Sequence, residues 1–123
     1  MELNIITGKI IDAAMKVHTA LGPGLLESAY EACLVHELKK IGLKVLSQVA
    51  LPVCYDGIQI ELGYRIDLLV QDTVIVELKA VDKVNPVHQA QLLSYLRLSN
   101  KPLGLLINFN TMHLRDGIKR IIL

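Results

Sequence analysis

Residues 65 to 79, RIDLLVQDTVIVELK, constrain the fold more than any other stretch: two apolar strands meet at a polar tip, yet each carries an acid in its interior. Centring the turn on Asp72 sets Ile66 opposite Leu78, Leu68 opposite Val76 and Val70 opposite Val74, which makes one side of the hairpin wholly apolar. The other side then pairs Asp67 with Glu77 and Arg65 with Lys79. A slip of one residue would mix polar with apolar positions on both faces, so the pattern selects its own register.

Side chains directly opposed on neighbouring strands have Cβ atoms about 4.5 to 5.5 Å apart, a distance at which like charges destabilise the pair. Two carboxylates that close in a partly dry site either share a proton or bind a cation. An all-oxygen ligand set suits Mg2+ or Mn2+. Lys79, two residues beyond Glu77 and therefore on its face, can steer a phosphate oxygen or orient an attacking water. The competing reading is a salt-bridged face in which Arg65 and Lys79 merely neutralise Asp67 and Glu77.

The hairpin needs neighbours, and the flanking sequence supplies them. Ile6, Ile10, Ala13, Ala14, Val17 and Leu21 recur at helical spacing and predict a first helix ending near Gly22-Pro23-Gly24. Leu26, Tyr30, Cys33, Leu34, Leu38 and Ile41 predict a second, closed by Lys39, Lys40 and Gly42. Residues 44–55 and 59–70 read as strands joined by an Asp56-Gly57 turn, and a third strand runs from Thr73 to about Val81. Asn85-Pro86 opens a helix over 86–99, and Leu103 to Phe109 forms a buried strand parallel to the third, reached by a right-handed crossover. Asp116-Gly117 and IKRIIL add a short edge strand. On the crossover helix, His88, Gln91 and Tyr95 share one stripe that can overlook the acids.

Length and composition narrow the function. A chain of 123 residues suits one domain spanning 1–123, with a core that needs no disulfide or structural metal. Cys33 and Cys54 read as reduced thiols in a cytosolic core. The first residues lack the basic end and unbroken apolar segment of a signal peptide, and no run approaches a membrane span, so the expectation is a soluble, cytoplasmic protein without membrane contact. A net charge of +1 gives no global field for nucleic acid, so contacts must come from local residues such as Lys83, Arg97, Lys101, Arg115, Lys119 and Arg120. An apolar content of 52% leaves room for a partner surface, and a homodimer would double the sites and reach of a small domain. Gly22-Pro23-Gly24 lacks the Gly-Lys-Ser or Gly-Lys-Thr of a phosphate loop, and Cys33 with His36 lacks the further ligands of a zinc site.

An acid near a helix start, Asp67 on one strand, Glu77-Leu78-Lys79 on the next and Gln91-x-x-x-Tyr95 on the following helix together resemble the PD-(D/E)XK nuclease superfamily. Gly24, Glu27 and Tyr30 match the motif of the prokaryotic GxxExxY family, and Gly63-Tyr64-Arg65-Ile66-Asp67 and GLLINFN are similar to it as well. The resemblance implies an α/β fold with a restriction-endonuclease-like core: helix, three-strand antiparallel meander, crossover helix and fourth strand, here with an extra N-terminal helix. It implies Asp67 and Glu77 as ligands of Mg2+ or Mn2+, a third ligand from the Leu78 carbonyl, and Lys79 as the catalytic cation. Glu27 becomes an auxiliary acid beside the catalytic Gln91, and Tyr95, Arg65 and His88 become substrate contacts. The superfamily's proline is absent, since Ile66 precedes Asp67. The implied activity is hydrolysis of phosphodiesters, with DNA as the expected nucleic acid. The alternative is an inactive nuclease fold that binds nucleic acid or a protein partner.

Overall fold

Ile6, Ile10, Ala13, Ala14 and Val17 form the buried stripe of helix α1 (Leu3–Leu21) in the computed structural model, which describes residues 1–123. Helix α2 (Glu27–Lys40) buries Tyr30, Leu34 and Leu38 against the same layer. Leu21, Leu26 and Ile41, which their spacing assigns to these apolar faces, are exposed because they sit at or just beyond the helix ends, past the sheet that the stripes cover. Gly22 and Gly24 turn the chain between the helices with φ of 67° and 101°, values that a side chain would oppose.

Seven strands follow in chain order: β1 (Val45–Ala50), β2 (Val53–Tyr55), β3 (Ile58–Ile60), β4 (Arg65–Val70), β5 (Val74–Lys79), β6 (Leu103–Asn108) and β7 (Ile118–Ile122). Helix α3 (Pro86–Ser99) crosses from β5 to β6. The main sheet has the order β1-β4-β5-β6-β7; β5 and β6 are parallel and every other neighbouring pair is antiparallel. The sheet thus has the expected crossover, fourth strand and edge strand, within a mixed α/β fold of the restriction-endonuclease-like kind.

The two long strands over 44–55 and 59–70 are each interrupted. Pro52 has no N–H to give a ladder. The return arm is also two residues longer, Glu61–Tyr64 against Leu51–Pro52, so the β2–β3 ribbon forms a sheet of its own, out of step with β1–β4. Asp56 and Gly57, with φ of 53° and 74°, close the ribbon with the paired left-handed residues of a tight hairpin turn. The Leu51 amide donates to the Tyr64 carbonyl at 2.9 Å and fastens its base.

Helices α1 and α2 cover one face of the main sheet over Leu68, Val70, Val76, Leu78, Leu105 and Ile107, while α3 covers the other over Leu69, Ile75 and Leu106. Gly104 lets α3 approach, because a Cβ there would stand 2.8 Å from Leu92 Cδ1. Ile66 corrects the expected all-apolar face: it packs with Tyr95 and Leu96 on the α3 side, whereas Leu78 packs on the other. The alternation slips beside Asp67. Gln48, across from it on β1, has φ of 54°, and the β1–β4 pairing passes from Ser47–Leu68 to Val49–Ile66 without a 48–67 pair.

Candidate active site

The β4–β5 ladder pairs Val70 with Val74, Leu69 with Ile75 and Leu68 with Val76, the register that the Asp72-centred turn predicts, and then it stops. Asp67 therefore lies where β4 has lost its ladder on both sides, and Arg65 does not pair with Lys79. The acids fill the opening. The Asp67 amide donates to Glu77 Oε2 at 3.0 Å, and the Leu78 amide donates to Asp67 Oδ2 at 2.9 Å. Each carboxylate thus replaces a missing ladder acceptor, which satisfies two amides that would otherwise be orphaned.

Glu77 is buried, with 6% of its surface exposed, and its carboxyl is pushed up to about 9. Burial is the largest cause, followed by the negative charge of Asp67 and a proton-sharing contact with it; the Asp67 amide and the Lys79 charge pull the other way. The salt-bridged alternative is not what the fold contains. The ion pairs are Lys16–Glu37, Lys40–Glu37 and Lys101–Asp72, all away from these acids. Arg65 Nη1 reaches only the Gln48 carbonyl, at 3.5 Å. Lys79, the last residue of β5, is half-buried, and its carbonyl accepts from the Phe109 amide at 2.9 Å. Its ammonium is left without an acid partner.

From α2, Glu31 rather than Glu27 reaches toward the opening. Glu31 Oε1 accepts from Gln48 Nε2 at 2.8 Å, and the same amide lies 3.5 Å from Asp67 Oδ1. The Glu31 carboxyl is raised, first by burial and then, against the Gln48 hydrogen bond, by the charges of Asp67 and Glu27. Glu27 itself is exposed at the first position of α2, one turn earlier. Spacing alone gives neither Glu31 nor Gln48 a role at the site. The signal available was an acid one helical turn beyond the motif glutamate. Tyr30 has a structural part: its hydroxyl donates to the Gly22 carbonyl at 2.6 Å, accepts from the Leu25 amide at 3.1 Å, and its ring stacks on Phe109 at 4.5 Å. Tyr30 thereby pins the turn between Gly22 and Leu25 that leads into α2.

Helix α3 contributes unevenly. Tyr95 is buried, and its hydroxyl is raised by burial and then by the charges of Glu77, Tyr64 and Asp67, which puts it within the field of both acids. Gln91 is exposed one turn before it. His88 is committed elsewhere: its Nδ1 accepts from the Asn85 amide at 3.1 Å and caps the helix. His18 Nε2 bonds the Thr111 carbonyl at 2.8 Å, a structural contact. Cys33 is half-buried and Cys54 exposed, both as free thiols, so Cys54 corrects the expectation of two core cysteines.

The donor set fits a hard divalent cation. No three His, Cys, Asp or Glu side chains converge on one point. Two opposed carboxylates without a counter-cation do, and Mg2+ characteristically takes one or two carboxylates and completes its shell from water and substrate phosphate. The Leu78 amide points across to β4. An extended strand turns the N–H and C=O of one residue to the same side, so the Leu78 carbonyl faces the opening too.

No helix is long and apolar enough to cross a membrane. No curated protein and no solved structure matches the chain significantly. The sequence model of the PD-(D/E)XK nuclease superfamily does match, over residues 4–121. An opened sheet carrying Asp67 and Glu77-x-Lys79, under a crossover helix and within that match, means that the chain belongs to the PD-(D/E)XK nuclease superfamily.

Proposed function

We propose that the protein is a metal-dependent nuclease that hydrolyses phosphodiester bonds, with DNA as its first-choice substrate, and that it belongs to the prokaryotic GxxExxY family and works in the cytoplasm. The observation that carries this reading is the pair of acids facing one another without a counter-cation at the end of the β4–β5 ladder. Asp67, Glu77 and the Leu78 carbonyl would hold Mg2+ or Mn2+. When bound, such an ion lowers the pKa of water and neutralises charge growing on phosphate. Lys79, free of any carboxylate, orients the water or a non-bridging phosphate oxygen. Glu27 and Glu31 add negative potential on the α2 side, and Gln91 and Tyr95 position the substrate from α3. Arg65, exposed at the start of β4, is available to the phosphate chain, whereas the capping bond of His88 argues against that role for it.

Cleavage of single- and double-stranded DNA and RNA with magnesium or manganese tests the reading: Asp67→Ala abolishes turnover, and intact cleavage by that variant would refute it. One observation favours the reading in which the fold binds without turnover, namely that only two side-chain carboxylates meet and the buried one holds a proton in the ion-free protein. Tight metal binding with no turnover on any nucleic acid selects it. A homodimer belongs to the first reading, and light scattering that shows a monomer at high concentration removes it.

A further inference from the structure

The chain has five aromatic residues besides histidine, four Tyr and one Phe, and their placement is uneven. Tyr30 and Phe109 stack in the core. Tyr64 and Tyr95 instead line a groove of about 470 Å3 between the β2–β3 ribbon and α3, with ring centroids 6.1 Å apart at 59°. Tyr55 stands exposed on β2, two residues from the lining residue Val53. The volume lies within the about 300–1,000 Å3 of small-molecule sites. Val53, Val87 and Leu98 complete apolar walls, and Gln91 brings an amide that can both donate and accept. No Lys or Arg lines the groove, so it offers a phosphate no positive charge, only the neutral donors of Gln91, Ser94 and the tyrosines.

The groove also adjoins the acids. Tyr95 packs in one cluster with Ile66 and Ile75, which lie one and two residues from Asp67 and Glu77. Tyr64 is 44% exposed, so it keeps surface open to an occupant beyond its tilted contact with Tyr95. An apolar slot with aromatic walls, one amide, one serine hydroxyl and no cation matches the face and edge of a nucleobase better than the charged flank of a duplex.

Resting on the reading of the neighbouring acids as a nuclease site, we propose that this groove seats an unstacked base of single-stranded nucleic acid against Tyr64, so that the substrate is a single strand or a frayed end and not an intact duplex. Val87, exposed at the start of α3, closes the slot over the base, and Gln91 reads its edge without choosing strongly among bases.

The test is equilibrium binding of fluorescein-labelled single-stranded DNA, single-stranded RNA and duplex DNA of equal length, with a chelator present so that no cleavage occurs. The native protein should bind single strands more tightly than duplex. Tyr64→Ala should weaken single-strand binding about 5- to 100-fold, the range of one lost base stack, and leave duplex binding unchanged. Tyr64→Phe should restore it. The exposed ring and the retained main-chain bond from Leu51 keep Tyr64→Ala folded, as its melting curve would show. Undetectable single-strand binding, equal losses on all three ligands, or no loss at all would overturn the proposal. So would a dimer that Tyr64→Ala dissolves, since the groove would then seat a second copy. Metal-dependent cleavage that Asp67→Ala abolishes, alongside a neutral Tyr64→Ala, would sink the base slot and leave the nuclease reading standing.

Discussion

Replacing Glu77 with Gln separates stability from function at the opened end of the sheet. In the ion-free protein the Glu77 carboxyl is pushed up to about 9 from an ordinary 4.5, by burial first and by Asp67 second. Below about pH 4.5 the proton is bound in folded and unfolded chains alike, and the site carries no penalty. Between there and about 9 the unfolded chain gives the proton up while the folded one keeps it, so stability falls as pH rises. At pH 7 the loss reaches a ceiling of about 3 kcal/mol, because each pH unit above 4.5 contributes about 1.4 kcal/mol. Asp67 on β4 and Lys79 on β5 are the titratable groups whose charges bear on it, and its own charge bears in turn on Tyr95 of α3.

Glutamine keeps the local bonding, because its oxygen can accept the Asp67 amide and its NH2 can take the place of the shared proton. Urea unfolding of both proteins with a chelator, at several values between pH 4.5 and 8, should therefore give curves that meet near pH 4.5 and separate upward, with the variant up to about 3 kcal/mol more stable at pH 7. Magnesium at a hundred times its Kd should return about 3 kcal/mol to the native protein and nothing to the variant, which should also have lost cleavage. Parallel curves across that range would refute the reasoning, since they would mean that Glu77 is ionised in the folded chain.

Lys79→Ala should lower cleavage about 100- to 1,000-fold without moving the melting temperature, because the ammonium makes no ion pair in the fold; single-turnover rates measure this. Tyr30→Phe removes the hydroxyl between the Gly22 carbonyl and the Leu25 amide and should cost about 1–3 kcal/mol in urea unfolding. Gly104→Ala drives a Cβ toward Leu92, fully buried under α3, and should cost about 1–3 kcal/mol, with no loss signalling that α3 can lift freely from β6.

Much of the frame was legible because its signals are local. The tip at Asp72 and the period-two pattern around it determined the β4–β5 register, since a slip would have exposed Leu68, Val70, Val74 and Val76. Asn85-Pro86 marked the start of α3, because a proline with preset φ belongs in a first helical turn. Asp56-Gly57 marked its turn, but not that the ribbon would leave the sheet; that came from Pro52 and from a return arm two residues longer, features that act only when the arms are paired.

The candidate site was half legible. That Asp67 and Glu77 would meet followed from register alone. Three things could be decided only in the folded chain: that the ladder would end beside them, with Ile66 turned to the α3 face, that Glu31 on α2 would reach toward Asp67 through Gln48, and that Arg65 and Lys79 would leave both acids unpaired. Sequence patterns report which side of a strand a residue occupies. Burial, the loss of a counter-ion and the meeting of Tyr64 with Tyr95 depend on how separate elements pack, and packing is set by the summed fit of residues far apart in the chain.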